Sequence, residues 1–458
     1  MPDTKILNHS VLDPWLASRA GAARWCVAFS GGPDSCALLH LLRSWQMACG
    51  QDTPQLVAIH VNHGMQTASN QWQAHCEALC DTWDVPLIVV RAIVRRAGKG
   101  AEAAARDARY KAFEAELSCG DVLFMGHHLD DQVETYFLRL MRGSGLSGLS
   151  AMPSSRVLGE GELLRPLLGV QRSELAAYIE QHHLTAIEDP SNFDTAIDRN
   201  YLRQNVLPLL ADRWSGYRQT VARAAGHASV AQAVIEECLP EPPTVVSVMG
   251  DPGIEQRALN SVSVDAAMIK MRSWLRAQGC SMPDQLLLAE FMRQLRQSAA
   301  SASPRLSNGD FELQRYRNRI YLLPKFPDEG DTGGPEQDLS LAIGEGCSIP
   351  GLGTLTLAPA VAAGLRLDAQ SRLTIRWRQG GERCRPIGRA YNQRLKKLLQ
   401  EFWVPPWWRE RIPLVYLDDE LLAVAGLWLC ESSRLQSSDE EIAGLWEPRW
   451  ERKPLAFD

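Results

Sequence analysis

Two short stretches of this 458-residue chain carry residue types that could do chemistry. The first is Ser30-Gly31-Gly32-Pro33-Asp34-Ser35. Two glycines allow a tight turn and close backbone approach, and Pro33 is pre-set for a first helical position, where its missing N–H costs nothing. Such a turn aims the free N–H groups of a helix N-terminus at an anion. A helix terminus contributes only about 0.3 to 1 kcal/mol, or about 2 when partly buried, so it cannot hold a polyphosphate alone. Asp34 supplies the further clue. A carboxylate inside an anion cradle repels phosphate unless a divalent cation lies between them, which implies Mg²⁺. No GxxxxGK[ST] occurs, so a P-loop kinase or GTPase reading lacks its lysine. The bland alternative is a strand, Gly-Gly and helix turn that binds nothing.

The second stretch runs from Gly126 to Met152, GHHLDDQVETYFLRLMRGSGLSGLSAM. At helical spacing His127, Asp131 and Glu134 fall on one face near a helix N-terminus. Adjacent acids there can be simple dipole-favouring residues, yet two histidines and three acids follow directly on an apolar strand. A dimetal phosphoesterase would use such a group but has no use for the upstream glycine turn. Between the two stretches a predicted helix carries Glu102, Arg106, Arg109 and Tyr110. A solvated Glu102–Arg106 pair explains them, and so does an arginine that clamps charge on a reacting phosphate. Cys76 and Cys80 read as a buried stripe more simply than as zinc ligands with His60 and His63.

The elements that must position these groups alternate. Strands are predicted over 24–29, 55–61, 86–92 and 121–126, and helices over 34–48, 68–83, 101–117 and 130–141. This pattern predicts an α/β fold with a parallel sheet, whose binding turns lie at the carboxyl ends of the strands. Past residue 215 the alternation stops. Residues 216–323 read as a mainly helical domain ending in a hairpin with its turn at Asn308-Gly309. Residues 324–338 read as a linker rich in Pro, Gly and acid, and 339–450 as a smaller, mostly β domain with a helix near 391–402.

Composition bounds the rest. Hydrophobic content of 45% and charged content of 22% are ordinary for a globular protein. The N-terminus lacks the basic start and apolar core of a signal peptide, and the longest uncharged apolar run, Leu421 to Cys430, is far below the ~20 residues that span a bilayer. A cytoplasmic protein without a membrane partner is the expectation. Eleven cysteines scattered through the chain, with no CxxC, do not suit a secreted disulfide framework. The net charge of −6 conceals a local excess: Arg372 to Arg411 holds eleven Lys or Arg against three Glu. Interleaved with Trp377, Trp403, Trp407 and Trp408, these cations are expected on an RNA surface, ahead of the alternative that the tryptophans are core.

SGGPDS resembles the SGGxDS motif of the PP-loop ATP pyrophosphatases. With HVNHGM, AEAAARDARY, the GHHLDDQVET and RLMRGSGLSGL block, RPLL at 165–168 and EDPSNFDTAIDRNYLRQNVLPLL at 188–210, residues 20–215 resemble, in order, the bacterial tRNA(Ile)-lysidine synthetases. The GGER and KKLLQE to PPWWR stretches are similar to the C-terminal domain of the longer members. The resemblance implies a catalytic PP-loop domain over 1–215, tRNA-binding domains over 216–323 and 339–450, ATP and Mg²⁺ as cofactors, and tRNA(Ile) with a CAU anticodon and free L-lysine as partners. A homodimer is compatible with it. It implies that O2 of the wobble cytidine attacks the α-phosphate of ATP, releasing pyrophosphate, and that the lysine ε-amine then attacks C2 and displaces AMP. The residues it implies are Ser30, Gly31, Gly32, Pro33, Asp34 and Ser35 for the nucleotide, and Asp34 and Asp131 for Mg²⁺. Asp131 and Glu134 are implied for lysine, His127 for orienting the reacting groups and Arg106 for the adenylate. Arg199, Arg203, Arg383, Arg394, Lys396 and Lys397 are the expected RNA contacts.

Overall fold

The computed structural model describes residues 7–50, 53–64, 69–92, 101–187, 189–299, 302–309, 311–325, 339–360, 363–368, 371–437 and 445–452. The chain forms two compact units, Met1–Glu237 and Cys238–Asp458. Most of the expected linker, 326–338, lies outside the described residues.

Near-continuous apolar runs make the strands of the first unit, as a sheet covered on both faces requires. They are β1 (Arg24–Ala28), β2 (Gln55–Asn62), β3 (Leu87–Arg91), β4 (Val122–Phe124), β5 (Ser155–Leu158) and β6 (Gly161–Leu164), in the order β3-β2-β1-β4-β6-β5. All pairings are parallel except the β5–β6 hairpin, which the sequence reading did not anticipate. The helices are α1 (Asp13–Leu16), α2 (Pro33–Cys49), α3 (Ser69–Thr82), α4 (Ala101–Glu116), α5 (Leu129–Met141), α6 (Leu146–Leu149), α7 (Arg172–Gln181), α8 (Asp198–Tyr201), α9 (Leu207–Arg213) and α10 (Tyr217–Cys238).

Alternation along each strand divides the core in two. Trp25 and Val27 of β1, with Val122 and Phe124 of β4, pack against Leu38, Leu41 and Leu42 of α2. Cys26 and Leu123 point the other way, toward Phe113 of α4. Cys76 and Cys80 of α3 lie in the first of these cores. Each leucine buried in this way contributes about 1.5 to 3 kcal/mol. The strand order reverses between β1 and β4, whose ends lie side by side, with Val27 opposite Phe124. That reversal opens the crevice where such sheets bind ligands.

The first unit runs past residue 215 because α10 is fastened to it. Tyr217 packs with Val133, Leu202 and Leu207, and Arg218 Nε donates to Asp130 Oδ1 at 2.6 Å.

In the second unit the expected helices, Val264–Ala277 and Gln285–Gln297, are joined by a five-stranded antiparallel sheet. Helices still make up the larger part of the regular structure in 216–323, and the sheet packed with them is what the sequence pattern did not indicate. Trp274, Phe291, Leu313 and Leu322 fill the core between its two layers. The hairpin at Asn308-Gly309 forms, with Arg305–Asn308 paired to Phe311–Tyr316. Two further five-stranded antiparallel sheets and the helix Leu395–Glu401 follow.

The tryptophans expected together on an RNA surface separate here. Trp407 and Trp408 are buried, and both indole N–H groups donate to the carboxylate of Asp251, at 3.3 and 2.9 Å. Trp377 is partly buried against the neighbouring core, and Trp403 alone of the four is exposed. An indole buries well when its N–H finds an acceptor, and Asp251 provides one.

Candidate functional site

The anion turn follows β1 directly, and α2 begins at Pro33 with Gly32 as its N-cap. Gly31 has φ +76°, and a Cβ there would stand 2.9 Å from Cys76 Sγ, so both its conformation and its surroundings require glycine. Ser35 is buried and closes the turn. Its hydroxyl donates to Gly32 O at 2.9 Å and accepts from Ser30 N at 3.3 Å. The hydroxyl of Ser30 accepts from Gly32 N at 3.3 Å. Asp34 stands in the first turn of α2, as expected.

The second stretch leaves β4 and presses on that turn. A Cβ on Gly126 would lie 2.7 Å from the carbonyl oxygen of Asp34, so only glycine permits this approach. His128 then caps α5 in extended conformation, φ −124°. Its Nδ1 accepts from Asp131 N at 3.4 Å while Asp131 Oδ2 accepts from His128 N at 3.1 Å, a reciprocal capping box. The outer nitrogen, Nε2, lies 3.6 Å from Asp34 Oδ1 and 3.6 Å from Asp131 Oδ2. His128 thus holds the two carboxylates, one from each stretch, around one atom.

His127 does not share the helical face of Asp131 and Glu134, because the helix begins only after His128. It turns instead to Arg165, whose Nε donates to His127 Nδ1 at 3.3 Å, leaving the ring proton on Nε2. Burial pushes His127 down to about 4, with Asp131 opposing and Arg165 and Arg106 adding to the fall, so it is neutral near pH 7. Arg165 is itself buried, and its other nitrogens donate to Tyr110 Oη at 3.2 Å and Pro153 O at 2.8 Å. Arg106 is exposed and lies over the Tyr110 ring, 5.5 Å from its centre, with Arg156 at 5.1 Å. Burial raises the Tyr110 phenol, but Arg165 and Arg106 outweigh it and the net direction is down. The side chain of Glu102, the expected neighbour of Arg106, lies outside the described residues.

Glu134 is one turn along α5 from Asp131 and fully buried. Arg203 grips it with two bonds, Nε to Oε1 at 2.6 Å and Nη2 to Oε2 at 3.0 Å, and Arg199 Nε adds an ion pair at 3.4 Å. Arg203 comes from a π-helical turn, Leu202–Val206, set between α8 and α9. Its Nη2 also faces Asp131 Oδ1 across 3.8 Å. Burial raises Glu134, against the pull of Arg203. Burial also works on Asp131, but His128, His127 and Arg199 outweigh it and hold it below the ordinary carboxylate range. Asp34 goes the other way: burial raises it, His128 opposes, and the nearby Asp131 raises it further.

The expected basic residues of the second unit, Arg383, Arg394, Lys396 and Lys397, are all exposed. Arg383 and Arg394 face each other on a two-residue ladder, and Lys397 pairs with Glu401 at 3.8 Å.

Three residues escaped the sequence reading. His128 was readable from the capping pattern, an acid three residues after a polar cap. Arg165 sits in RPLL just after a strand that was not predicted. Asp130, one of a run of acids in the sequence, accepts from Arg172 N at 2.8 Å and Arg218 Nε, and so ties α5 to α7 and α10.

Comparison with known proteins identifies what the chain as a whole is similar to. A PP-loop domain model matches residues 5–210, a TilS substrate binding domain residues 266–321, and a TilS substrate C-terminal domain residues 373–446. The chain is 38% identical over 452 residues to the tRNA(Ile)-lysidine synthase of Serratia proteamaculans, covering 98% of this chain and 100% of that one. It is 42% identical over 438 residues to the enzyme of the same name from Pseudomonas aeruginosa, covering 92% and 93%. With the Coxiella burnetii enzyme it shares 35% identity over 413 residues, covering 89% and 90%.

Proposed function

The chain belongs to the tRNA(Ile)-lysidine synthase family, and from that premise we propose how its site joins lysine to the wobble cytidine of the CAU anticodon of tRNA(Ile). The enzyme uses ATP through its PP-loop domain. Cytosine O2 attacks the α-phosphate and pyrophosphate leaves; the lysine ε-amine then attacks C2 and AMP leaves. Cytidine becomes lysidine, which pairs with A.

Ser30, Gly31, Gly32 and Ser35 hold the phosphates on the N–H groups of α2. Asp34 and Asp131 would hold Mg²⁺. Two carboxylates around one point, short of an all-protein cage, fit an ion that takes its remaining oxygens from phosphates and water. Mg²⁺ bound there would neutralise phosphate charge. Asp131, held ionised by its neighbours, suits a cation, either that ion or the ammonium of lysine, better than it suits taking up a proton. Glu134 is committed to Arg203 and Arg199, so it acts on lysine by fixing the arginines that face Asp131. Neutral His127 orients the reacting groups through Nε2–H, and Arg106 stabilises charge on the adenylate. Asp34, Gly126 and the capping box are close enough that binding at the turn and chemistry at α5 form one site. The reaction belongs in the cytoplasm, and no helix among the described residues is long and apolar enough to cross a membrane.

The convergence of Asp34 and Asp131 on His128 Nε2 carries this reading. Its test is incubation with ATP, Mg²⁺, radiolabelled lysine and unmodified tRNA(Ile), followed by mild alkali. Label that survives alkali marks a carbon–nitrogen bond to a base. Release of AMP without stable label would keep the adenylation and overturn lysine as the nucleophile.

A further inference from the structure

Two exposed residues of the second unit hold a backbone conformation that glycine normally supplies, and they are stacked on each other. Arg317 has φ +49° and, with Asn318 at +58°, makes the two-residue turn between Phe311–Tyr316 and Arg319–Pro324. Such turns favour Asn-Gly. Trp403 has φ +62° and follows the helix Leu395–Glu401 at the position where glycine is usual. The helix end is otherwise conventional, with Val404 N donating to Leu399 O at 2.9 Å.

The guanidinium carbon of Arg317 lies 4.3 Å from the centre of the Trp403 ring, and Arg317 Nη2 donates to Gln400 O at 3.2 Å. Trp403 is 52% exposed and Arg317 is exposed. Core packing therefore does not account for an indole here, in contrast to Trp407 and Trp408. Left-handed backbone at a non-glycine residue costs on the order of 1 kcal/mol or more and persists where function requires the side chain. The surroundings match one class of ligand. Lys396, Lys397 and Arg394 are exposed on or beside the same helix, and Phe402 is half-open beneath Arg389, 5.9 Å from its ring centre.

We propose that Arg317 and Trp403 form a platform on which an unpaired nucleobase of the tRNA stacks. Bases stack on aromatic rings and on guanidinium planes, and flanking lysines and arginines meet the phosphates on either side. The wobble cytidine is taken by the site in the first unit, so the base on the platform is a different one. The proposal rests on the reading that the substrate is tRNA, and it names residues of the second unit that hold that substrate.

The left-handed backbone supplies the test. Trp403→Gly and Arg317→Asn install residues that those conformations favour, so both variants of the full chain are expected to keep the wild-type unfolding midpoint or exceed it. Binding to full-length tRNA(Ile) should weaken about tenfold in each. For Trp403→Gly the slope of log affinity against log salt should not change, because no charge is lost. Trp403→Phe should recover most of the affinity. Variants that bind tRNA as the wild type does would overturn the platform alone. A fall in midpoint that tracks the loss of affinity and is not rescued by phenylalanine would assign the pair a structural role and overturn it too. A wild-type protein that does not bind tRNA would overturn the platform together with the reading beneath it.

Discussion

Asp34 and Asp251 are both carboxylates that burial pushes above their ordinary range, yet they are held in opposite ways. Asp251, in the second unit, is 2% exposed and accepts from Ser247 Oγ at 2.8 Å and from two indole N–H groups. Its hydrogen bonds come from neutral donors that cannot move without unpacking two tryptophans, and the Arg452 guanidinium stands 3.8 Å away. Asp34 has His128 Nε2 at 3.6 Å, beyond a good hydrogen bond, and its side chain is 40% exposed. A raised carboxyl is therefore common to both, although Asp251 is closed off and Asp34 is not. Open coordination distinguishes them, and it marks where a cation or substrate can still bind.

The largest expected effect breaks the comparison at its open end. Asp34→Ala should lower lysidine formation by about 10³-fold or more, measured as tRNA-dependent pyrophosphate release, with tRNA binding and the unfolding midpoint nearly unchanged. Retained pyrophosphate release would remove Asp34 from the chemistry.

Next comes the buried pair behind Asp131. Arg203→Met leaves Glu134 with Arg199 alone, and losing one partner of a buried ion pair costs about 3 to 5 kcal/mol. Denaturant unfolding of the first unit should register this, and Glu134→Gln in the same chain should recover part of it. Additive losses in the double variant would mean that the two side chains do not act as a pair.

Asp251→Asn tests the closed end. It keeps the shape but puts an amide N–H₂ against indole donors, at a cost of about 1 to 3 kcal/mol in the second unit. Turnover per folded molecule should stay at the wild-type level, since no reacting group is touched. A loss of turnover equal to that of Asp34→Ala would erase the distinction drawn between the two carboxylates.

A further test concerns pH. His127 titrates near 4 in the folded chain against an ordinary 6.5, so between those values the unfolded chain binds the extra proton. Stability of the first unit should then fall as pH drops from about 6.5 toward 4, and His127→Gln should flatten that part of the curve. Above about 6.5 the two proteins should show the same pH dependence. A curve unchanged by the substitution would mean that His127 takes its proton as readily when folded as when unfolded.

Legibility in the sequence followed how local each cause was. Ser30 to Ser35 could be read because two glycines, a proline and an acid fix a turn within six residues. The β1–β4 alternation was readable because apolar runs and helical periodicity repeat over tens of residues. The β5–β6 hairpin was passed over because its strands are four residues each and only one side of β6 meets a predicted neighbour. The tryptophans divided for a reason that lies far off in the chain. Asp251 sits 156 residues before Trp407 and accepts from that indole and its neighbour, while among the described residues Trp403 shows no such acceptor.

The sequence by itself determined the anion turn, the parallel sheet around it, the acids of α5 and the family they resemble, since each depends on residues close together in the chain. Only the tertiary structure decided which histidine meets Asp34, which arginines neutralise Glu134 and which tryptophan stays open. Those choices depend on where helix α5 starts, on a π-helical turn near residue 203, and on contacts between segments that only the packed chain brings together.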